Sequence, residues 1–154
     1  MINEKLKLSG QVNIVLRDAS GQIKEEREIH NLVVNKGLGY IASRMTGTSK
    51  GVMSHMALGE GTTAAAAGQT DLATILGSRE SLDSTSIAGS DLEKVVYVAS
   101  FEAGDATGAV TEAGIFNSGT TGSGDMLCRT TFNVVNKAAD DTMSVTWTIT
   151  LSAA

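Results

Sequence analysis

From Asp141 to Leu151 the chain alternates apolar and polar side chains without a break. Met143, Val145, Trp147, Ile149 and Leu151 fall on one side, and Thr142, Ser144, Thr146, Thr148 and Thr150 on the other. A period of two is the geometry of an extended strand, whose successive side chains point to opposite faces. β-Branched residues on both sides suit a half-buried antiparallel strand. Such a strand must pair with others and must cover its apolar row, so Val145, Trp147, Ile149 and Leu151 are predicted core. With 17 glycines and no proline, the turns between strands must rely on Gly, Asn, Asp and Ser.

The same logic recurs along the chain. Residues 6–17 place Leu6, Leu8, Val12, Ile14 and Leu16 in one register, and Asp18-Ala19-Ser20-Gly21 reads as a turn into a charged strand over 22–28. The pair is a predicted hairpin, and its second strand carries so much charge that a sheet edge is the expected place for it. Further strands are predicted over 52–58, 92–102, 110–117, 126–136 and 142–151. Asn35 is placed to cap a helix whose stripe is Leu38, Ile41, Ala42 and Met45. Gly37 and Gly39 weaken it by about 1 kcal/mol each, and Gly47 is a stop. A short helix over 70–76, packed by Leu72, Ile75 and Leu76, is followed by a long polar loop over 77–91. About seven or eight short strands with one or two short helices predict a mainly β protein, an antiparallel β-sandwich or jelly-roll-like fold. The expected organisation is an N-terminal hairpin or arm, 1–28, and a sandwich domain, 29–154.

Composition removes several function classes. A net charge of −5 argues against wrapping nucleic acid, which needs clustered cations. No apolar run approaches the ~18 residues of a membrane span, and the N-terminus has no apolar signal core, so a soluble protein without a membrane partner is expected. Aromatic residues make up only 4% of the chain. The core is therefore mostly aliphatic, and oligomer contacts would help to stabilise it. The single cysteine, Cys128, reads as a small buried hydrophobe. His30 and His55 belong to no metal-ligand cluster, and His30 is assigned a backbone hydrogen bond. Gly59-Glu60-Gly61 lacks the spacing of a phosphate loop and reads as a tight turn with positive φ. Ser123 has no histidine downstream, and the pairs Glu25-Glu26 and Asp140-Asp141 read as a solvated face and a solvated turn. Neither a catalytic residue, a cofactor nor a metal is expected.

Glu112 stands apart. It sits in Val110-Thr111-Glu112-Ala113-Gly114-Ile115-Phe116, an otherwise apolar strand, where a carboxylate is costly to bury unless paired. Arg79 or Arg129 can supply the partner. The expectation is a structural salt bridge that ties the long loop to the core.

The order of landmarks carries a resemblance. His30-Asn31, Val33-Val34-Asn35 and Gly37 lead into the helix. Ala57-Leu58-Gly59, Gly61-Thr62, Thr70-Asp71-Leu72 and Ser78-Arg79-Glu80 follow. Then come Thr111 to Asn117, Leu127-Cys128-Arg129 and the closing Val145 to Ile149 strand. In combination, over roughly residues 29–151, the chain resembles small structural proteins of tailed bacteriophages. These include capsid decoration (cement) proteins and the related heads of tail and collar fibres. The resemblance implies a non-enzymatic virion protein, assembled in the host cytoplasm, whose partners are the major capsid protein or other virion subunits and its own copies in a trimer. It carries no enzymatic residues over. Residues 1–28 match less clearly and can add a strand to a neighbour. A tail, neck or baseplate component is the alternative. A carbohydrate-binding or hydrolytic sandwich is disfavoured, because sugar sites use stacking aromatics and Trp147 lies in the core register.

Overall fold

A computed structural model describes residues 5–47 and 50–153. The protein is mainly β. Its elements are β1 (Leu6–Arg17), β2 (Ile23–Val33), α1 (Asn35–Met45), β3 (His55–Gly59), β4 (Glu80–Ser81), β5 (Ser84–Ala88), β6 (Lys94–Phe101), β7 (Gly108–Phe116), β8 (Met126–Lys137) and β9 (Thr142–Ala153). The strands form one antiparallel sheet in the order β4-β3-β7-β8-β2-β1-β9-β6-β5. That sheet is curled, so residues of β1, β6 and β9 share one core with residues of β3, β7 and β8. A β-sandwich is compatible with this arrangement.

The alternating pattern predicts the longest ladder well. β1 and β9 pair without a slip from Leu6–Ala153 to Arg17–Thr142. Val12, Ile14, Leu16, Met143, Val145, Trp147 and Ile149 are all buried, whereas Leu151 is half-buried at the rim. Each such large apolar side chain contributes about 1.5–3 kcal/mol on leaving water. The turn after β1 is fixed by Asp18, whose Oδ1 accepts from the Ser20 and Gln22 amides and the Ser20 hydroxyl. Those bonds hold its carboxyl below the ordinary range.

β2 is interior in the strand order, yet among the described residues its charged half keeps one free side, as expected of an edge. It lies between β1 and β8, but β8 pairs with it only at Leu32 and Val33, so the sheet turns its corner there. The charged half of β2 pairs with β1 alone. The boundary expected at residue 28 falls inside β2, and the first hairpin packs into the common core.

The helix forms where expected but by other means. Val34, not Asn35, occupies the N-cap position, with no side-chain cap. The Asn35 amide donates to the Ala67 carbonyl at 2.8 Å instead. Of the expected stripe Ile41 packs against the core, whereas Leu38 and Met45 are exposed and Gly37 and Tyr40 are the buried helix residues. Gly37 is required there, since a Cβ would lie 2.0 Å from the Leu127 carbonyl oxygen.

The helix expected over 70–76 is absent. Residues 60–79 instead form an irregular strap over the outer face of β3, β7 and β8. Val34, Ala57, Phe116 and Met126 make a second small core beneath it, with Leu72 and Ile75 packed against them. Leu76 N–H donates to the Leu58 carbonyl, and Glu60 N–H to that of Thr74. The polar loop over 77–91 contains the two short edge strands, β4 and β5.

Candidate functional site

Glu112 points to the outer face of β7, under the strap. Its neighbour across the β7–β8 ladder is offset by a register shift, which sets Arg129 opposite Gly114 and within reach. Arg129 Nε and Nη2 both donate to Glu112 Oε2, at 2.9 and 2.7 Å. The strap supplies three backbone amides. Gly61 and Thr74 donate to Oε1 at 2.9 and 2.8 Å, and Ala73 to Oε2 at 3.0 Å. Both side chains of the pair are fully buried. Arg129 also donates to Gln69 Oε1 and the Thr63 carbonyl, each at 2.8 Å. One carboxylate and one guanidinium therefore fix the strap at Gly61, Thr63, Gln69, Ala73 and Thr74.

This explains the missing helix. Thr74 N–H, which would donate to Thr70 in a helix capped there, is committed to Glu112, and Leu76 N–H, which would donate to Leu72, goes to the Leu58 carbonyl, so the i→i−4 ladder does not form. It also corrects the reading of Gly59 and Gly61. Neither has a positive φ. Glycine is needed because a Cβ on Gly59 would sit 2.4 Å from the Thr74 oxygen, and one on Gly61 would sit 2.3 Å from Glu112 Oε1.

Of the two arginines considered for Glu112, the structure brings up Arg129 and places Arg79 elsewhere. Arg79 pairs with Asp71 at 3.0 Å and donates to the Ser118 and Ser123 carbonyls, both at 2.9 Å. Its guanidinium lies 3.6 Å from the centre of the Phe116 ring, a cation–π contact. Asp71 Oδ2 also accepts from the Gly122 amide. Arg79 thus ties the strap to the β7–β8 loop. Gln69 and Asp71 were not singled out from the sequence. The only signal for them is a polar side chain spaced within a loop that has to be held down.

Asp141 is a second correction. It is buried, not solvated, with 3% exposure. Lys24 donates to it at 2.7 Å and the Ala138 amide at 2.8 Å. The Lys24 bond, then the amide, hold its carboxyl below the usual value. Beside it Lys137 is buried and donates to the Glu102 carbonyl at 2.8 Å, and desolvation lowers its pKa against the pull of Asp105, Asp141 and Glu102.

The remaining residues are quickly placed. Cys128 is buried in the core, and burial pushes its thiol pKa up, which suppresses the thiolate. The His30 carbonyl accepts from the Thr130 hydroxyl. The His55 ring nitrogens lie against the Ser54 and Ser81 hydroxyls, at 2.7 and 3.4 Å. Among the described residues no three His, Cys, Asp or Glu side chains gather as metal ligands, and no helix is long and apolar enough to cross a membrane.

Chemically, the Glu112 centre is a fastening. Its carboxylate accepts five hydrogen bonds and is closed to solvent, so it has no free lone pair directed at an incoming molecule. Comparison of the chain with protein-family models, curated proteins and solved structures finds no match.

Proposed function

We propose that this is a non-enzymatic structural protein of a tailed-phage virion, a decoration protein that sits on the capsid as a trimer and clamps neighbouring capsid subunits. The observation that carries the reading is the free edge of the sheet. Among the described residues β5, Ser84-Thr85-Ser86-Ile87-Ala88, pairs with β6 on one side only. It has no charge and no proline, the devices that protect an edge from pairing with another chain. Ile87 is 64% exposed on it, and Leu92 is 69% exposed just before β6. An unguarded edge with apolar side chains beside it suits strand addition to a protein neighbour. The strap supports the same reading: two buried arginines make a long glycine- and alanine-rich loop into a fixed surface.

The test is to mix purified protein with expanded, undecorated phage capsids and measure bound copies. Saturable, stoichiometric binding that Ile87→Lys weakens at least tenfold is expected, with the melting temperature of the variant within about 2 °C of the parent, as for a surface substitution. Binding to tails or baseplates alone would move the protein to the tail, neck or fibre-attachment ring. Binding to neither refutes the virion reading.

A further inference from the structure

Between α1 and the β6–β9 ladder lies a cavity of about 230 Å³, separate from the β5 edge and the strap. Ile41 of the helix and Val95, Ile149 and Leu151 of the sheet give it apolar walls, with Leu127 behind them. Two phenols also line it. Tyr40 and Tyr97 are each only 7% exposed. No described group bonds to either hydroxyl, and neither oxygen is among the fully enclosed polar atoms left without a partner, so both open to solvent at the mouth of the cavity. At the same cavity stands Arg44, whose Nη1 donates to the Lys50 carbonyl at 3.0 Å. No described carboxylate pairs with it.

These groups describe a ligand. The walls call for a compact hydrocarbon, and the polar groups lining it are two phenol hydroxyls and the guanidinium of Arg44, an exposed residue that also bonds the Lys50 carbonyl. An apolar cavity of about 150 Å³ already holds benzene, so this one has room for a somewhat larger body. We propose that the slot between α1 and β6–β9 is a binding site for a small amphiphilic anion, an aliphatic or aryl chain that ends in a carboxylate. The hydrocarbon lies against Val95, Ile149 and Leu151. The carboxylate accepts from the phenols and is matched in charge by Arg44. Tyr97 is a protonated donor at neutral pH, as any ordinary phenol is, and burial, with Tyr40 and Cys128 close by, raises its pKa further. This site does not depend on the virion reading.

Trp147 is the single tryptophan and lies directly across the ladder from Tyr97, so its emission reports on the slot. The experiment titrates the full chain with octanoate, and in parallel with octylammonium, while following Trp147 fluorescence. A saturable response to octanoate is expected, with the cation much weaker. Tyr97→Phe, which keeps the shape and removes one donor, should weaken octanoate about 3- to 10-fold. Arg44→Gln on the exposed helix face should weaken it while leaving the fold intact. Val95→Phe should fill the slot and abolish the response. Thermal melts confirm that each variant is folded, and the Tyr97 and Arg44 variants decide the matter if Val95→Phe is not. A flat titration, an equal response to octylammonium, or affinity unchanged in both the Tyr97 and Arg44 variants overturns the assignment.

Discussion

Glu112→Gln is the sharpest probe of the fastening under the strap. The substitution keeps the shape of the side chain and removes its charge. In the parent protein Oε2 faces three donors, Arg129 Nε, Arg129 Nη2 and Ala73 N–H, and Oε1 faces two, Gly61 and Thr74 N–H. The amide of Gln has one acceptor oxygen. Turned toward Arg129, it leaves its own NH2 against the Gly61 and Thr74 donors; turned the other way, it opposes three. Either rotamer leaves Arg129 buried without a counter-charge. Removing one partner of a buried pair costs about 3–5 kcal/mol, because the other charge stays desolvated. A half-exposed pair such as Lys50–Asp125, with side chains 41% and 13% exposed, is worth far less, nearer the about 0–1 kcal/mol of surface pairs.

For a chain of this size about 1 kcal/mol moves the melting temperature by roughly 2–4 °C. Calorimetry should therefore show Glu112→Gln melting about 6–20 °C below the parent. Amide exchange should lose protection first at Gly61, Ala73 and Thr74. Glu112→Gln combined with Arg129→Met should be less destabilised than the two single changes added together, since no buried charge is left over. A fall of under about 2 °C, or unchanged protection at those three amides, would refute the claim that the pair holds the strap.

Two further outcomes follow from the same geometry. Gly37→Ala should destabilise the protein by forcing α1 off the Leu127 carbonyl, whereas Gly39→Ala, with open space around its Cβ position, should stabilise it by about 0.5–1 kcal/mol; denaturant melts of the pair check this, and equal effects would count against the close-approach argument. The carboxyl of Asp141 is held below its unfolded value by Lys24 and the Ala138 amide. Its contribution is therefore present above about pH 4 and lost as pH falls through the lower folded value. The gap in melting temperature between the parent and Asp141→Asn should be full at pH 7 and close in acid, and a gap that persists unchanged at pH 2 would overturn the assignment.

What the sequence determined by itself is local. Alternation of apolar residues sets the strands β1 and β9, their faces and their buried rows, because a period of two follows from the backbone of a single strand. The turn at Asp18–Gly21 is equally local, since Asp18 bonds amides two and four residues on. The burial of Glu112 was legible too: its neighbours are apolar, and a carboxylate among them needs an arginine. Which arginine, Arg129 or Arg79, was decided only by the β7–β8 register and by the course of the strap, which join residues far apart in the chain. The same holds for the 70–76 segment, whose own spacing favours a helix while Glu112 takes the Thr74 amide and the Leu58 carbonyl that of Leu76. It holds for Asp141, drawn out of water by Lys24 on another strand, and for Gly37, whose missing side chain has meaning only against Leu127. Propensity and patterning specify what a segment can be. The hydrogen-bond partners supplied by distant segments decide what it becomes, because a buried polar group left unpaired costs more than a helical turn or a solvated loop can return.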